Sequence, residues 1–197
     1  MKRAGPRVVA GTAKGRVLEV PARGARPPLA RVREAVFSML ESRGAVAGAR
    51  VLDLFAGSGS LGIEALSRGA DRAVFVESDA SALASLRRNL ERLGLADLAE
   101  VHRDEVISFL ARSGDRWDLA FCDPPFGYAR WPELLGRVLA RLEPGGVLVA
   151  RSGADDPPFP DLPTLEVLRE RRYGTSVVLV GRRADVSDSF YEVDRLT

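Results

Sequence analysis

The chain has 197 residues, 46% of them hydrophobic and 28% charged, with a formal net charge of +2. Such a length and composition suit one soluble domain with a buried core. They offer neither the run of roughly 20 apolar residues that spans a bilayer nor an apolar stretch after the basic N-terminus that would make a signal peptide. Cys122 and His102 are the single cysteine and histidine, which excludes a disulfide framework and leaves no Cys/His zinc set. A cytoplasmic protein without metal or membrane contact is expected.

The charge is unevenly spread. Residues 1–33 carry nine lysines and arginines against Glu19 alone, the asymmetry of a protein that meets a polyanion. Arg7, Lys14, Arg16, Arg31 and Arg33 are the candidate nucleic-acid contacts. Within this stretch, residues 7–10 and 16–20 read as two short strands of a hairpin whose basic loop, 11–15, holds two glycines. The loop is expected to reach past the sheet edge towards the site of chemistry. Residues 21–28 are a Pro/Gly/Arg linker. Apolar residues at Val32, Ala35, Val36, Met39 and Leu40 then predict a helix over 31–43.

From Arg50 the pattern alternates. Strands are expected at 51–54, 73–76, 98–101, 119–122 and 147–150, separated by helices at 61–67, 81–93, 106–111 and 134–142. Two last strands come at 165–168 and 176–180, with Gly174 in their turn. This succession implies a doubly wound α/β sheet, mainly parallel, with helices on both faces. Residues 1–45 form a basic hairpin-and-helix extension, 46–183 the main domain and 184–197 a polar tail.

In such a sheet, ligands sit beyond the carboxyl ends of the strands. Asp53 ends the first strand, and the turn Ala56-Gly57-Ser58-Gly59-Ser60-Leu61-Gly62 comes after it. Glycines there permit positive φ and close backbone approach, and Glu77, at the end of the second strand, can accept both hydroxyls of a ribose. The glycines also match a dinucleotide fingerprint, but Asp53 would repel a pyrophosphate and would hold an ammonium. Asp53, Ala56, Gly57, Gly59 and Glu77 therefore favour S-adenosylmethionine over NAD. The third strand should end at a residue that recognises adenine, and Asp104 and Glu105 are equal candidates.

Asp123-Pro124-Pro125-Phe126 comes directly after the fourth strand. An exocyclic amine on a nucleobase is a weak nucleophile because its lone pair is delocalised into the ring. Asp123 and the Pro124 carbonyl can each accept one N–H, Pro124 and Pro125 stiffen the turn beforehand, and Phe126 offers a stacking face. Cys122 reads as a core residue pointing away from Asp123, and His102 lacks a nucleophilic partner.

Taken together, these pieces make the chain resemble the bacterial 16S ribosomal RNA guanine-N2 methyltransferase family of the small ribosomal subunit. The resemblance is carried by Val9-Ala10-Gly11, Lys14-Gly15-Arg16, 31–37, 53–59, 64–70, Phe75-Val76-Glu77, 123–126 and Tyr173-Gly174. It implies a seven-stranded, Rossmann-like methyltransferase fold with a small RNA-contacting N-terminal extension, S-adenosylmethionine as donor, and one guanine of 16S rRNA, in the subunit or an assembly intermediate, as target. Pro28-Leu29-Ala30 departs from the family's usual Thr-Thr-Asp. Two readings compete with it. An N6-adenine methyltransferase shares the Asp-Pro-Pro-aromatic motif, but the chain shows no target-recognition domain for reading a duplex. A non-catalytic RNA-binding assembly protein leaves the donor residues unexplained.

Overall fold

A computed structural model describes residues 5–21 and 30–184. The linker and tail expected at 21–28 and 184–197 fall almost wholly outside these residues, as does most of the Pro28-Leu29-Ala30 departure. Seven strands form one sheet: β1 (Arg50–Leu54), β2 (Arg72–Glu77), β3 (Ala99–Arg103), β4 (Trp117–Cys122), β5 (Leu142–Gly153), β6 (Leu165–Tyr173) and β7 (Ser176–Arg183). Their order is β3-β2-β1-β4-β5-β7-β6. The pairs among β1 to β5 are parallel, and β7 runs antiparallel to both β5 and β6.

The parallel strands are apolar almost continuously because helices cover both faces. On one face α1 (Ala30–Glu41), α2 (Ser60–Ser67) and α3 (Ala80–Leu93) pack on Val51, Phe75, Leu119, Phe121 and Val149. On the other, α4 (Val106–Arg112) and α5 (Trp131–Arg141) pack on Leu52, Leu54, Val76, Ala120 and Leu148. Alternation along each strand sends neighbouring residues into opposite cores, which places Cys122 in the second core and away from the Asp123 side, as expected. Among the described residues, no helix is long and apolar enough to cross a membrane.

Three expectations are corrected. Residues 7–10 and 16–20 do not form extended strands: they meet at one antiparallel bridge, Arg7 to Val17. Around that bridge Val8 N–H donates to Arg16 O at 2.9 Å, Gly15 N–H to Val8 O at 2.8 Å and Leu18 N–H to Pro6 O at 2.8 Å, closing a short hairpin. Beyond it the segments turn to the helices: Val9 and Ala10 N–H donate to Glu64 of α2 at 2.8 and 3.0 Å and Glu19 N–H to Asn89 of α3 at 2.8 Å. Val8, Ala13 and Leu18 of this arm are buried in the same core as α1, α2 and α3. Second, β6 runs five residues beyond 168 to Tyr173; its arginine-rich half reads as loop in sequence but pairs with β7 at the sheet edge. Third, α1 stops at Glu41 rather than 43, in a turn where Gly44 has φ 66°.

Candidate active site

β1 lies between β2 and β4, the point where strand order reverses, and ligands in doubly wound sheets bind beyond such a point. Leu54 and Cys122 are register partners, so the glycine loop and the Asp-Pro-Pro-Phe turn leave neighbouring strands at one level. The sequence placed Asp53, Ala56, Gly57, Gly59, Glu77 and Asp123 to Phe126 at this rim, and all lie there.

On the donor side, carboxylates are met by backbone N–H groups. Asp53, fully buried, accepts from Gly62 at 2.8 Å. Burial pushes its pKa well above the usual 3.8, and Asp123 and Glu77 nearby add to the rise; the Gly62 bond opposes it. Glu77 takes Gly57 N–H on one oxygen at 2.9 Å and Asp79 N–H on the other at 2.8 Å. Gly57 and Gly59 have φ of 57° and 84°, a region that costs other residues energy. A Cβ on Gly59 would lie 2.4 Å from the Leu86 side chain, whereas one on Gly57 would meet nothing nearer than Phe55 O at 4.0 Å. Phe55 also takes φ 60°, a strained conformation of the kind concentrated at ligand sites. Ala56 N–H is satisfied by Val76 O at 3.1 Å.

Asp104 and Glu105 are now distinguished by their partners. Asp104 pairs with Arg112 and accepts the Glu105 N–H. Glu105 caps α4 by accepting from Ser108 N–H at 2.9 Å and remains half exposed at that helix's entry. Near it, the Tyr128 ring stands edge-on to Phe55 at 5.3 Å, and its hydroxyl and the Trp131 indole N–H are buried without a partner among the described residues.

On the transfer side, side chains do the holding. Arg151, from β5, donates from Nε to Asp123 and from Nη1 to Ser176 Oγ at 3.3 Å, and its guanidinium lies 5.2 Å over the Phe126 ring. Asp123 is largely buried; burial raises its pKa and Arg151 opposes the rise. Pro124 is buried while Pro125 is exposed, and Phe126 is 52% exposed, as a stacking platform must be. Asp156 ties the turn down by accepting Gly127 N–H at 3.0 Å and Gly153 N–H at 2.7 Å. Sequence reasoning missed Arg151: a lone arginine at the end of an apolar strand was the available signal.

The arm residues divide. Arg7, Lys14, Arg16 and Arg31 are exposed. Arg33 is not a surface group: it is 1% exposed, faces Glu64 at 3.5 Å and donates to Arg7 O. Helical spacing carries it inward with Val32, Val36, Phe37 and Leu40, and Glu64 compensates the buried charge. The loop at 11–15 does not reach towards the transfer site either. Thr12 N–H donates to Ser67 O and Ala13 N–H to Ser67 Oγ, at the end of α2 remote from the glycine loop.

Comparison with known proteins matches residues 6–182 to the family described as Conserved hypothetical protein 95. Ribosomal RNA small subunit methyltransferase D of Escherichia coli strain K12 is 42% identical over 121 residues, 61% of this chain and 60% of that one. The Haemophilus influenzae protein of the same name is 34% identical over 77% of this chain and 80% of its own. Among solved structures, the Escherichia coli protein yhhF, assigned as a methyltransferase, superposes with a TM-score of 0.82 at 34% identity, covering 91% of this chain and 98% of that one. A Thermus hypothetical protein does so at 0.75 and 36% identity, covering 89% and 98%.

Proposed function

Since the chain belongs to the Conserved hypothetical protein 95 family, we propose that it transfers a methyl group from S-adenosylmethionine to the exocyclic N2 of a guanine in small-subunit ribosomal RNA. The observation that carries this reading is the shared rim: Asp53 and Glu77 on one side, Asp123 to Phe126 on the other, leaving adjacent register-matched strands. Relatives named as small-subunit rRNA methyltransferases support the substrate class.

The residues present fit the donor. Asp53 is a buried carboxylate with a raised pKa and no cationic partner among the described residues, so an ammonium there would offset its cost of burial. Glu77 keeps lone pairs free for a ribose after taking two backbone donors. Glu105 is the better candidate for the adenine: one of its oxygens caps Ser108 and the other meets only Arg130 at 3.9 Å, whereas Asp104 is held by both Arg112 and the Glu105 N–H. The uncrowded position beside Gly57, with Phe55 O the nearest atom at 4.0 Å, leaves room for the ligand's approach. The bound donor supplies an electrophilic methyl on a sulfonium; the rest is positioning.

For that step, Asp123 and the Pro124 carbonyl accept the two N–H bonds of the amine, hold it in line and help localise its lone pair. Burial makes Asp123 a better proton acceptor than a solvated carboxylate. Arg151 already lies on Phe126 and donates to Asp123. Its planar N–C–N group matches the N1–C2–N2 edge of guanine, which supports a fit for that edge. A guanine entering the site must displace or share this guanidinium.

The test is donor-dependent labelling of small-subunit rRNA and then nucleoside analysis. N2-methylguanosine is expected. N6-methyladenosine would transfer the assignment to the adenine reading, and RNA binding without any labelled nucleoside would leave an assembly protein.

A further inference from the structure

Between α1 and the overhanging edge of the sheet runs a groove of about 440 Å³. Its floor is apolar: Val36 and Met39 of α1, Leu168 of β6, and Val178 and Val180 of β7. Its rim is cationic. Arg43, Arg169 and Arg171 line it, all exposed, and among the described residues no carboxylate does. Arg169 and Arg171 make no ion pair or side-chain hydrogen bond among the described residues, and Glu170 between them points to the opposite face of the strand. The Arg171 guanidinium lies 5.4 Å over the Tyr173 ring.

A chain of contacts links the end of the groove to the transfer site. Tyr173 pairs with Ser176 across the β6–β7 turn, and the Ser176 hydroxyl accepts from Arg151, which in turn holds Asp123. From the rim downwards, Tyr173, Arg171 and Arg169 occupy alternate positions of one strand, about 7 Å apart. An apolar floor, evenly spaced cations and a terminal aromatic together suit a single strand of nucleic acid: phosphates meet the guanidiniums while bases cover the floor and stack at its end. The basic arm lies on the other side of α1, against α2 and α3, so it cannot serve this approach.

We propose that this α1–β6–β7 groove binds the single-stranded rRNA flanking the target nucleotide, guided by Arg43, Arg169 and Arg171 and ending on Tyr173. The proposal rests on the rRNA reading above. A target guanine must leave its stack to be methylated, and strand held beside the site supports that extrusion.

The test uses the full chain carrying Arg169→Gln with Arg171→Gln, in fluorescence anisotropy titrations against labelled small-subunit rRNA that the wild-type protein methylates. At about 0.1 M salt the RNA Kd should rise roughly twentyfold, and the logarithmic salt slope should fall by about 1.4 units for two lost single-strand phosphate contacts. Donor Kd and thermal midpoint should stay at wild-type values, since both side chains are exposed. Unchanged RNA Kd and slope, with an active wild type, would overturn the groove while leaving the function intact. Weakening seen only when ribosomal proteins are on the RNA would give the groove to a protein and equally overturn it. A wild type that neither binds nor methylates rRNA would instead defeat the functional reading itself.

Discussion

Beyond β1 and β2 the chain is held by backbone N–H groups: Gly62 donates to Asp53, and Gly57 and Asp79 to Glu77. Beyond β4 the target-facing groups are held by a side chain, with Arg151 on Asp123 and Phe126. A donor of fixed chemistry suits a preorganised backbone cradle, because little must move when it binds. The target base comes attached to a polymer and must be exchanged for contacts already present. Side chains can rotate to allow that exchange without disturbing the strands. The difference teaches that the two halves of one rim should fail separately.

The largest separation is expected at Asp123. Asp123→Ala should lower kcat by roughly a thousandfold, the scale on which losing one preorganised polar contact to a reacting group is felt, while calorimetry finds donor affinity nearly intact. A parallel loss of donor affinity would erase the division between the halves. Glu77→Ala should act in the opposite sense, weakening donor binding by about 1.5–3 kcal/mol while leaving RNA affinity alone. Glu77→Gln, which keeps one acceptor for Gly57, should recover part of it.

A smaller and sharper effect concerns Asp53. Its folded pKa is raised, so the ionised form costs stability above that raised value, and the cost disappears as pH falls towards 3.8. Without donor, Asp53→Asn should therefore melt higher than the wild type at neutral pH, with the gap closing in acid. It should also bind donor more weakly, having lost the anion. Thermal melts from neutral pH downwards test the sign: a variant that melts lower at neutral pH would show the carboxylate to be stabilising. The smallest effect belongs to the arm. Lys14→Ala with Arg16→Ala should raise the RNA KM and flatten the salt slope by roughly 1–1.5 units, with kcat and donor affinity unchanged, because the loop sits at the far end of α2.

The site was legible in the sequence wherever a residue type has a single physical use. The glycine loop, Asp53, Glu77 and Asp-Pro-Pro-Phe all fall where strand ends and turn chemistry demanded them. The parallel strands were visible because burial on both faces leaves an unbroken apolar run. Arginine was the residue that misled. Arg33 reads as surface charge, yet Glu64, 31 positions away in the chain, makes its burial tolerable. Arg151 reads as an exposed strand end, yet Asp123 turns it into part of the site. The arginines of β6 read as loop, because residues 169–172 are exposed on both faces and so carry no apolar–polar alternation. For Arg33 and Arg151 the deciding partner is distant in sequence, and no local pattern encodes it.

Asn89 bears on how the arm can evolve. Its buried amide accepts Glu19 N–H and donates to Glu19 O and to Ser58 O in the glycine loop. Glu64 and Ser67 likewise answer to Val9, Ala10 and Ala13. An enzyme that reads RNA through a tethered module can exchange that module for another and keep its catalyst. Here the basic segment supplies hydrogen bonds and apolar side chains that the catalyst's own helices require. The arm's exposed positions can therefore change one residue at a time, whereas exchanging the whole segment would strip buried partners from α2 and α3.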